Sequence, residues 1–218
     1  MSIFRRRLMM GQGKTEILPA NSYVQDGLIF QLDGIEKGAD DGSWVDLVGG
    51  KVFTGGATSM NKCFYFSGTY LTNNTYLPAN ADYTVEVIYV QTSTNTQGSV
   101  IFISSDSIKR TDHICVARMG TNMLFLNNKN TYTLSDASNN TPIYISANMT
   151  RALYNGNVLS PNSSTDYWGG DETTRVGMSV TSRYQFTGRV YSIRVYDRRL
   201  TEEEQRFNYA IDKKRFRL

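Results

Sequence analysis

The sequence is poor in what most enzyme centres and disulfide scaffolds require: two cysteines (Cys63 and Cys115), one histidine (His113) and four prolines in 218 residues. Two cysteines cannot build a disulfide framework or a four-ligand zinc site by themselves. Whether they pair with each other depends on distance and redox history. One histidine excludes a His-rich metal site within one chain, and it would have to be the base of any Ser-His-Asp triad. No stretch approaches the roughly 20 apolar residues of a membrane-spanning helix.

What is present is aromatic and polar: 14 Tyr, 10 Phe and 2 Trp, with 40% hydrophobic and 20% charged residues. Aromatic and β-branched side chains suit a pleated, half-buried surface, so the bias is that of an all-β protein with one core. Short apolar runs bounded by Gly, Asn and Asp recur along the chain. They predict strands at 26–33, 51–53, 63–66, 69–71, 83–90, 99–104, 112–118, 122–126, 130–133, 142–147, 151–154 and 173–178. A long strand is expected over 185–196, with Tyr191, Ile193 and Val195 on one face. Asn155-Gly156 is a two-residue hairpin signal, since both positions accept φ > 0. Thr201-Glu202-Glu203-Glu204 is a capping box, so one short helix starts there.

Net charge is +3 but unevenly placed. Arg5, Arg6, Arg7 and Lys14 carry the first 14 residues; Lys213, Lys214, Arg215 and Arg217 carry the last six. Four charges at each end against a total of +3 leave −5 for residues 15–212. Basic ends point to nucleic acid, anionic lipid or an acidic protein surface, or else to solvated termini. Leu8, Met9 and Met10 follow the Arg triplet directly, so residues 1–22 read as an extended arm that docks, and 23–218 as one domain with a basic C-terminal tail. Three apolar residues fall short of a signal-peptide core, so no Sec-type export is expected. The Asn-x-Ser/Thr triplets at Asn73, Asn139, Asn148 and Asn162 then read as chance. Gly11-Gln12-Gly13-Lys14-Thr15 lacks the first glycine of a phosphate loop and no strand precedes it.

Four segments resemble the concanavalin A-like, laminin-G-type jelly rolls: Gly27–Asp33 as the opening strand, Trp44–Gly50 as a W-x-D-L-x-G turn, Tyr154–Asn157 as the N-G hairpin, and Phe186–Glu204 as the closing strand and helix start. They span about residues 26–212. The resemblance implies a sandwich of two antiparallel sheets with one short C-terminal helix. Members include lectins, glycan-binding modules, glycoside hydrolases and structural virion domains, and fold alone does not choose among them. The start Met1–Met10 resembles the N-termini of phage and prophage proteins of gut bacteroidetes. Together these resemblances imply a virion protein: a head fibre or capsid decoration protein, or a tail-associated receptor-binding protein, docked on other virion proteins and displayed as a homo-oligomer. A free carbohydrate-binding module or glycanase is the alternative from another class.

Among candidate sites, Asp166, Tyr167, Trp168 and Asp171 combine an aromatic face with carboxylates in a Gly-rich loop, the chemistry of a glycan site; Trp168 otherwise plugs the sandwich edge. The arm residues Arg5, Arg6, Arg7, Leu8, Met9 and Met10 are the docking candidates. Trp44 is expected in the core, and His113 as a partly buried structural residue. Laminarinase-like hydrolases place two catalytic Glu on one strand, an E-x-D-x-x-E pattern that lets two carboxyls flank a glycosidic bond at ~5–5.5 Å. Here Glu86 is the only acid in a clear strand, so no enzyme is expected. Asp33, Glu36, Asp40 and Asp41 bunch in one loop, which raises calcium, although their spacing fits no EF-hand; no metal or cofactor is expected.

Overall fold

Among the described residues of this computed structural model, sixteen strands and one α-helix order the chain. The structure describes residues 18–37, 42–73, 83–92, 97–104, 113–119, 122–127, 130–134, 140–148, 150–161, 174–178 and 185–217. In the strands between 97 and 134 it describes the side chains of Val100, Ile101, Val116 and Tyr132 alone. In chain order the strands are β1 (Leu28–Asp33), β2 (Trp44–Val45), β3 (Val52–Gly55), β4 (Thr58–Met60), β5 (Cys63–Ser67), β6 (Leu71–Asn73), β7 (Thr84–Gln91) and β8 (Gln97–Ser104). They continue as β9 (His113–Met119), β10 (Asn122–Asn127), β11 (Asn130–Leu134), β12 (Ile143–Asn148), β13 (Ala152–Tyr154), β14 (Asn157–Leu159), β15 (Thr174–Val176) and β16 (Thr187–Tyr196). The helix α1 (Glu202–Phe216) follows.

The strands form two antiparallel sheets, as expected of a jelly-roll sandwich. One runs β14-β13-β12-β7-β16-β5-β4, with β1 also paired to β16; the other runs β11-β10-β9-β8-β15-β6-β3-β2. β16 holds β5 against residues 187–190 and β1 against residues 192–196, so these two short strands stand end to end along it. All eight residues of β7 are buried, because the strand is central and both its faces are covered.

Val85, Val87 and Tyr89 of β7 enter the core between the sheets with Ile145, Phe53, Leu71, Val176, Ile193 and Val195. That core is rich in aromatics: Trp44 stacks on Phe64 at 4.5 Å, and Phe186 meets Phe66 and Tyr89 edge-on. Tyr191 does not share the face of Ile193 and Val195. The register of β16 shifts between Val190 and Ser192, and this bulge turns Tyr191 out to pack on Phe216 of α1.

The local motifs fold for identifiable reasons. In the W-x-D-L-x-G turn, Asp46 Oδ1 accepts the N–H groups of Gln31 (2.8 Å) and Val48 (3.1 Å), and Oδ2 that of Gly49 (3.0 Å). One carboxylate therefore closes the turn and ties it to β1. Asn155 (φ 47°) and Gly156 (φ 83°) make the tight turn between β13 and β14. Both halves of the capping box form: Glu204 N–H donates to Thr201 Oγ1 and Thr201 N–H to Glu204 Oε2. β4 was not expected, because all three of its residues are exposed and it carries no apolar alternation.

The two ends expected as tails are partly folded. Leu18–Ser22, the end of the expected arm, lies on the body: Ala20 is buried and its N–H donates to Glu36 Oε1 at 2.6 Å. Lys213–Phe216 belong to α1, and Arg215 is fully buried, its Nη2 paired with Asp33 Oδ2 at 2.8 Å. Lys213, Lys214 and Arg215 of the basic C-terminal run thus lie in the last turn of α1.

Candidate functional site

The outer face of the first sheet is closed by α1, and the closure is polar. Tyr144 and Ser146 of β12, Glu86 of β7 and Arg194 of β16 project from alternate strand positions to meet Gln205, Asn208 and Asp212 of the helix. Glu86 accepts four donors: Tyr144 Oη (2.8 Å), Ser146 Oγ (2.9 Å), Arg194 Nε (2.8 Å) and Asn208 Nδ2 (3.0 Å). Arg194 spans from Glu86 to Asp212, while Tyr23 Oη donates to Asp212 Oδ1. The Tyr23 ring lies 3.8 Å below the Arg194 guanidinium, adding a cation–π contact.

Burial sets the protonation chemistry of this cluster. Desolvation pushes the Asp212 carboxyl up to about 6 despite the opposing pull of Arg194. It also drives the Tyr144 hydroxyl well above its ordinary value, with the Glu86 charge adding to the effect. At the helix start the opposite holds: the Arg198 fork (2.7 and 3.0 Å) brings the exposed-side carboxyl of Glu204 down to about 2. Glu86, the strand acid on which hydrolysis would rest, is fully buried and accepts four donors. Its surroundings hold a helix in place and give a sugar no entry.

The acidic loop is engaged likewise. Asp33 Oδ1 accepts the N–H groups of Ile35 and Glu36, and its Oδ2 takes Arg215; Glu36 accepts from Arg215 and Ala20. Asp40 and Asp41 lie outside the described residues. Among the described residues no three His, Cys, Asp or Glu side chains converge as metal ligands would.

The expected glycan residues Asp166, Tyr167, Trp168 and Asp171 lie outside the described residues, as do Arg5, Arg6, Arg7, Leu8, Met9 and Met10. The segment holding Trp168 joins β14, at an edge of the first sheet, to β15 inside the second. Thr174 at the start of β15 pairs with Asn73 at the end of β6. His113 opens β9 and Cys115 is its third residue, with neither side chain described; Cys63 is buried. Trp44 is a core residue, as expected, its indole Nε1 donating to the Asp33 carbonyl at 2.9 Å.

Sequence reasoning missed a pair on the second sheet. Phe53, Leu71 and Val176 face the core, so Thr54, Thr72 and Arg175 take the alternate, outer positions. Beside them Tyr70 is 37% exposed, with the Arg175 guanidinium 5.4 Å from its ring centroid. An accessible aromatic next to a guanidinium and hydroxyls can stack a sugar face and bind its oxygens. Tyr70 and Arg175 lie about a hundred residues apart, so only strand pairing joins them.

No family profile matches the chain, and no curated protein matches it by sequence. Solved structures do match it in shape. Trypanosoma rangeli sialidase in complex with sialic acid aligns over 86% of this chain and 33% of its own, at 12% identity and TM-score 0.61. The binding domain of Botulinum neurotoxin DC in complex with rat synaptotagmin II aligns over 88% and 52%, at 14% identity and TM-score 0.57. The same domain in complex with SialylT aligns over 88% and 52%, at 12% identity and TM-score 0.54. The chain therefore spans about a third to a half of the chains it matches, and what the likeness shows is the fold alone, a β-sandwich.

Proposed function

We propose that the protein is a non-enzymatic, glycan-binding sandwich carried on a phage virion, as a head fibre or capsid decoration docked through its basic arm. The observation that carries this reading is the closure of the first sheet by α1. It buries Glu86 beneath a helix and leaves recognition to the second sheet's outer surface and to the connecting segments. Tyr70 and Arg175 supply an aromatic face and a cation there, and Asp166, Tyr167, Trp168 and Asp171 combine aromatic and charged residues in sequence. The structures it resembles include a sialidase in complex with sialic acid, a neurotoxin binding domain in complex with SialylT, and botulinum neurotoxin type C, whose cell entry depends on interaction with two ganglioside molecules, which favours a carbohydrate ligand. A single site of this kind binds weakly, and display in many copies on one particle raises avidity.

The test is a glycan array read with the full chain, with Trp168→Ala and with Tyr70→Ala, beside a hydrolysis assay on the glycans bound. Binding that either substitution lowers, without sugar release, supports the reading. Turnover of a bound glycan would overturn its non-enzymatic part, and an array without signal its glycan part. The virion part is checked by binding to phage particles with and without residues 1–17.

A further inference from the structure

On the second sheet, charge is confined to one point of four strands. Of the residues in β2, β3, β6 and β15, Arg175 is the single charged one. Thr54, Thr72 and Arg175 are register partners on three adjacent strands, so they form one row across the outer face. Tyr70 stands two residues before Thr72 and therefore lies diagonal to Arg175, a spacing that long side chains bridge. Its ring takes the Arg175 guanidinium at 5.4 Å from the centroid. The patch combines one aromatic ring, one cation and two hydroxyls, and these four strands hold no carboxylate.

The backbone beneath Tyr70 is fixed from two sides. Gly56 N–H donates to the Tyr70 carbonyl at 3.1 Å, and a Cβ on Gly55 would run into that same carbonyl oxygen. On the other side, a Cβ on Gly177 would meet the Thr69 carbonyl at 2.8 Å and collide with the Phe66 ring. Two strand ends thus close on residues 69–70 at distances that only glycine permits. The ring is 37% exposed on a fixed backbone, so a ligand meets a surface that binding does not have to order. Stability does not account for the pair. A cation–π contact at an exposed site contributes little, and neither side chain belongs to the core.

We infer that Tyr70, Arg175, Thr54 and Thr72 form a subsite for an acidic sugar, one that carries a carboxylate; this deepens the glycan-binding reading proposed above and rests on it. The C–H face of the sugar stacks on Tyr70. Its carboxylate meets the guanidinium, a planar fork whose N–H donors match two carboxylate oxygens. Thr54 is exposed and Thr72 half-buried, and their row faces the sugar hydroxyls. Thr72 Oγ1 already donates to the Thr174 carbonyl at 3.2 Å, so it meets the ligand as an acceptor. Charge selects the acidic form. Residues 15–212 carry −5, and an anion approaching such a body is held where a cation stands. A neutral sugar makes the stacking contact and gains only a weaker hydrogen bond from Arg175.

The full chain is titrated with oligogalacturonate and with sialyllactose, each beside its methyl ester, which keeps the sugar and removes the charge. Two-dimensional NMR reads the binding and checks the fold of each variant: Tyr70→Ala, Tyr70→Phe, Arg175→Gln and Arg175→Lys. The expected result is at least one acid bound about tenfold more tightly than its ester, a preference that Arg175→Gln abolishes and Arg175→Lys reduces. Tyr70→Ala weakens acid and ester alike, whereas Tyr70→Phe keeps the stacking face and restores binding. Equal binding of acid and ester overturns the acidic-sugar subsite and leaves glycan binding standing. A preference that survives Arg175→Gln, or binding that survives Tyr70→Ala, overturns it as well, because the contact then lies elsewhere. Tighter binding of sulfated lactose than of either acid overturns the carboxylate in favour of a sulfate ester. If neither acid binds, the subsite falls; a glycan array that reports neutral sugars then keeps the glycan reading, and a silent array overturns both.

Discussion

Arg194 of β16 and Glu86 of β7 are register partners on adjacent strands, joined at 2.8 Å, and Arg194 also grips Asp212 of the helix laid across them. A single guanidinium therefore links the two central strands of the first sheet to the helix that closes it.

Breaking that link leaves two buried carboxylates without their counter-charge. Removing one member of a buried ion pair costs about 3–5 kcal/mol. Arg194→Met should lower the melting temperature by about 10 °C, at roughly 2–4 °C per kcal/mol for a chain of this size. Adding Glu86→Gln should recover part of the loss, since it removes one uncompensated charge and keeps an acceptor for Tyr144 and Ser146. A double-mutant cycle by denaturant unfolding measures the coupling.

Asp212 gives stability an unusual pH dependence. Its carboxyl rises from 3.8 to about 6 in the folded protein, so the native state holds a proton that the unfolded chain releases. The contribution is fully present below pH 3.8 and is lost as pH rises through about 6. Melts at pH 4 and pH 7 should show the dependence, and Asp212→Asn should flatten it over that window. An unchanged slope in the variant would remove Asp212 as its source.

Glu204 works in the opposite direction. With its carboxyl lowered to about 2, it stabilises the helix start above its ordinary range, and that support fades as pH falls through about 2. Thr201→Ala removes the side-chain half of the capping box and should cost about 1 kcal/mol. Far-ultraviolet circular dichroism during thermal unfolding reads the change.

The β13–β14 turn tolerates little. Gly156 has φ 83°, and a Cβ there would meet the Tyr209 ring at 2.9 Å. Gly156→Ala should cost about 1–2 kcal/mol from the backbone alone, and more if the ring must leave its stack on Tyr144 at 4.7 Å. Asn155→Ala should add a distinct loss, because Asn155 Oδ1 accepts the Tyr144 N–H. Chemical denaturation of both variants separates the two effects.

The sequence by itself determined what is local. The opening strand, the Asp46 turn, the Asn155-Gly156 hairpin and the Thr201 capping box each depend on residues within a few positions of one another, and each formed where its chemistry required. Alternation named most strands but not β4, which has no apolar face. It also put Tyr191 on the wrong side, because a bulge leaves no mark in a hydrophobic pattern. Only the tertiary structure decided how α1 sits. The helix buries Gln205, Asn208, Asp212 and Arg215 beside Ile211 and Phe216, so its inner face is mostly polar and hydrophobic periodicity has little to report. Its basic end therefore read as a tail. Glu86 and Arg194 were visible as opposite charges in apolar strands, a sign of buried partners, but their pairing across 108 positions had to wait for the sheet. Tyr70 with Arg175, and Leu18 with Arg215, meet for the same reason: strand order and helix docking are long-range choices, and no neighbour in the chain encodes them.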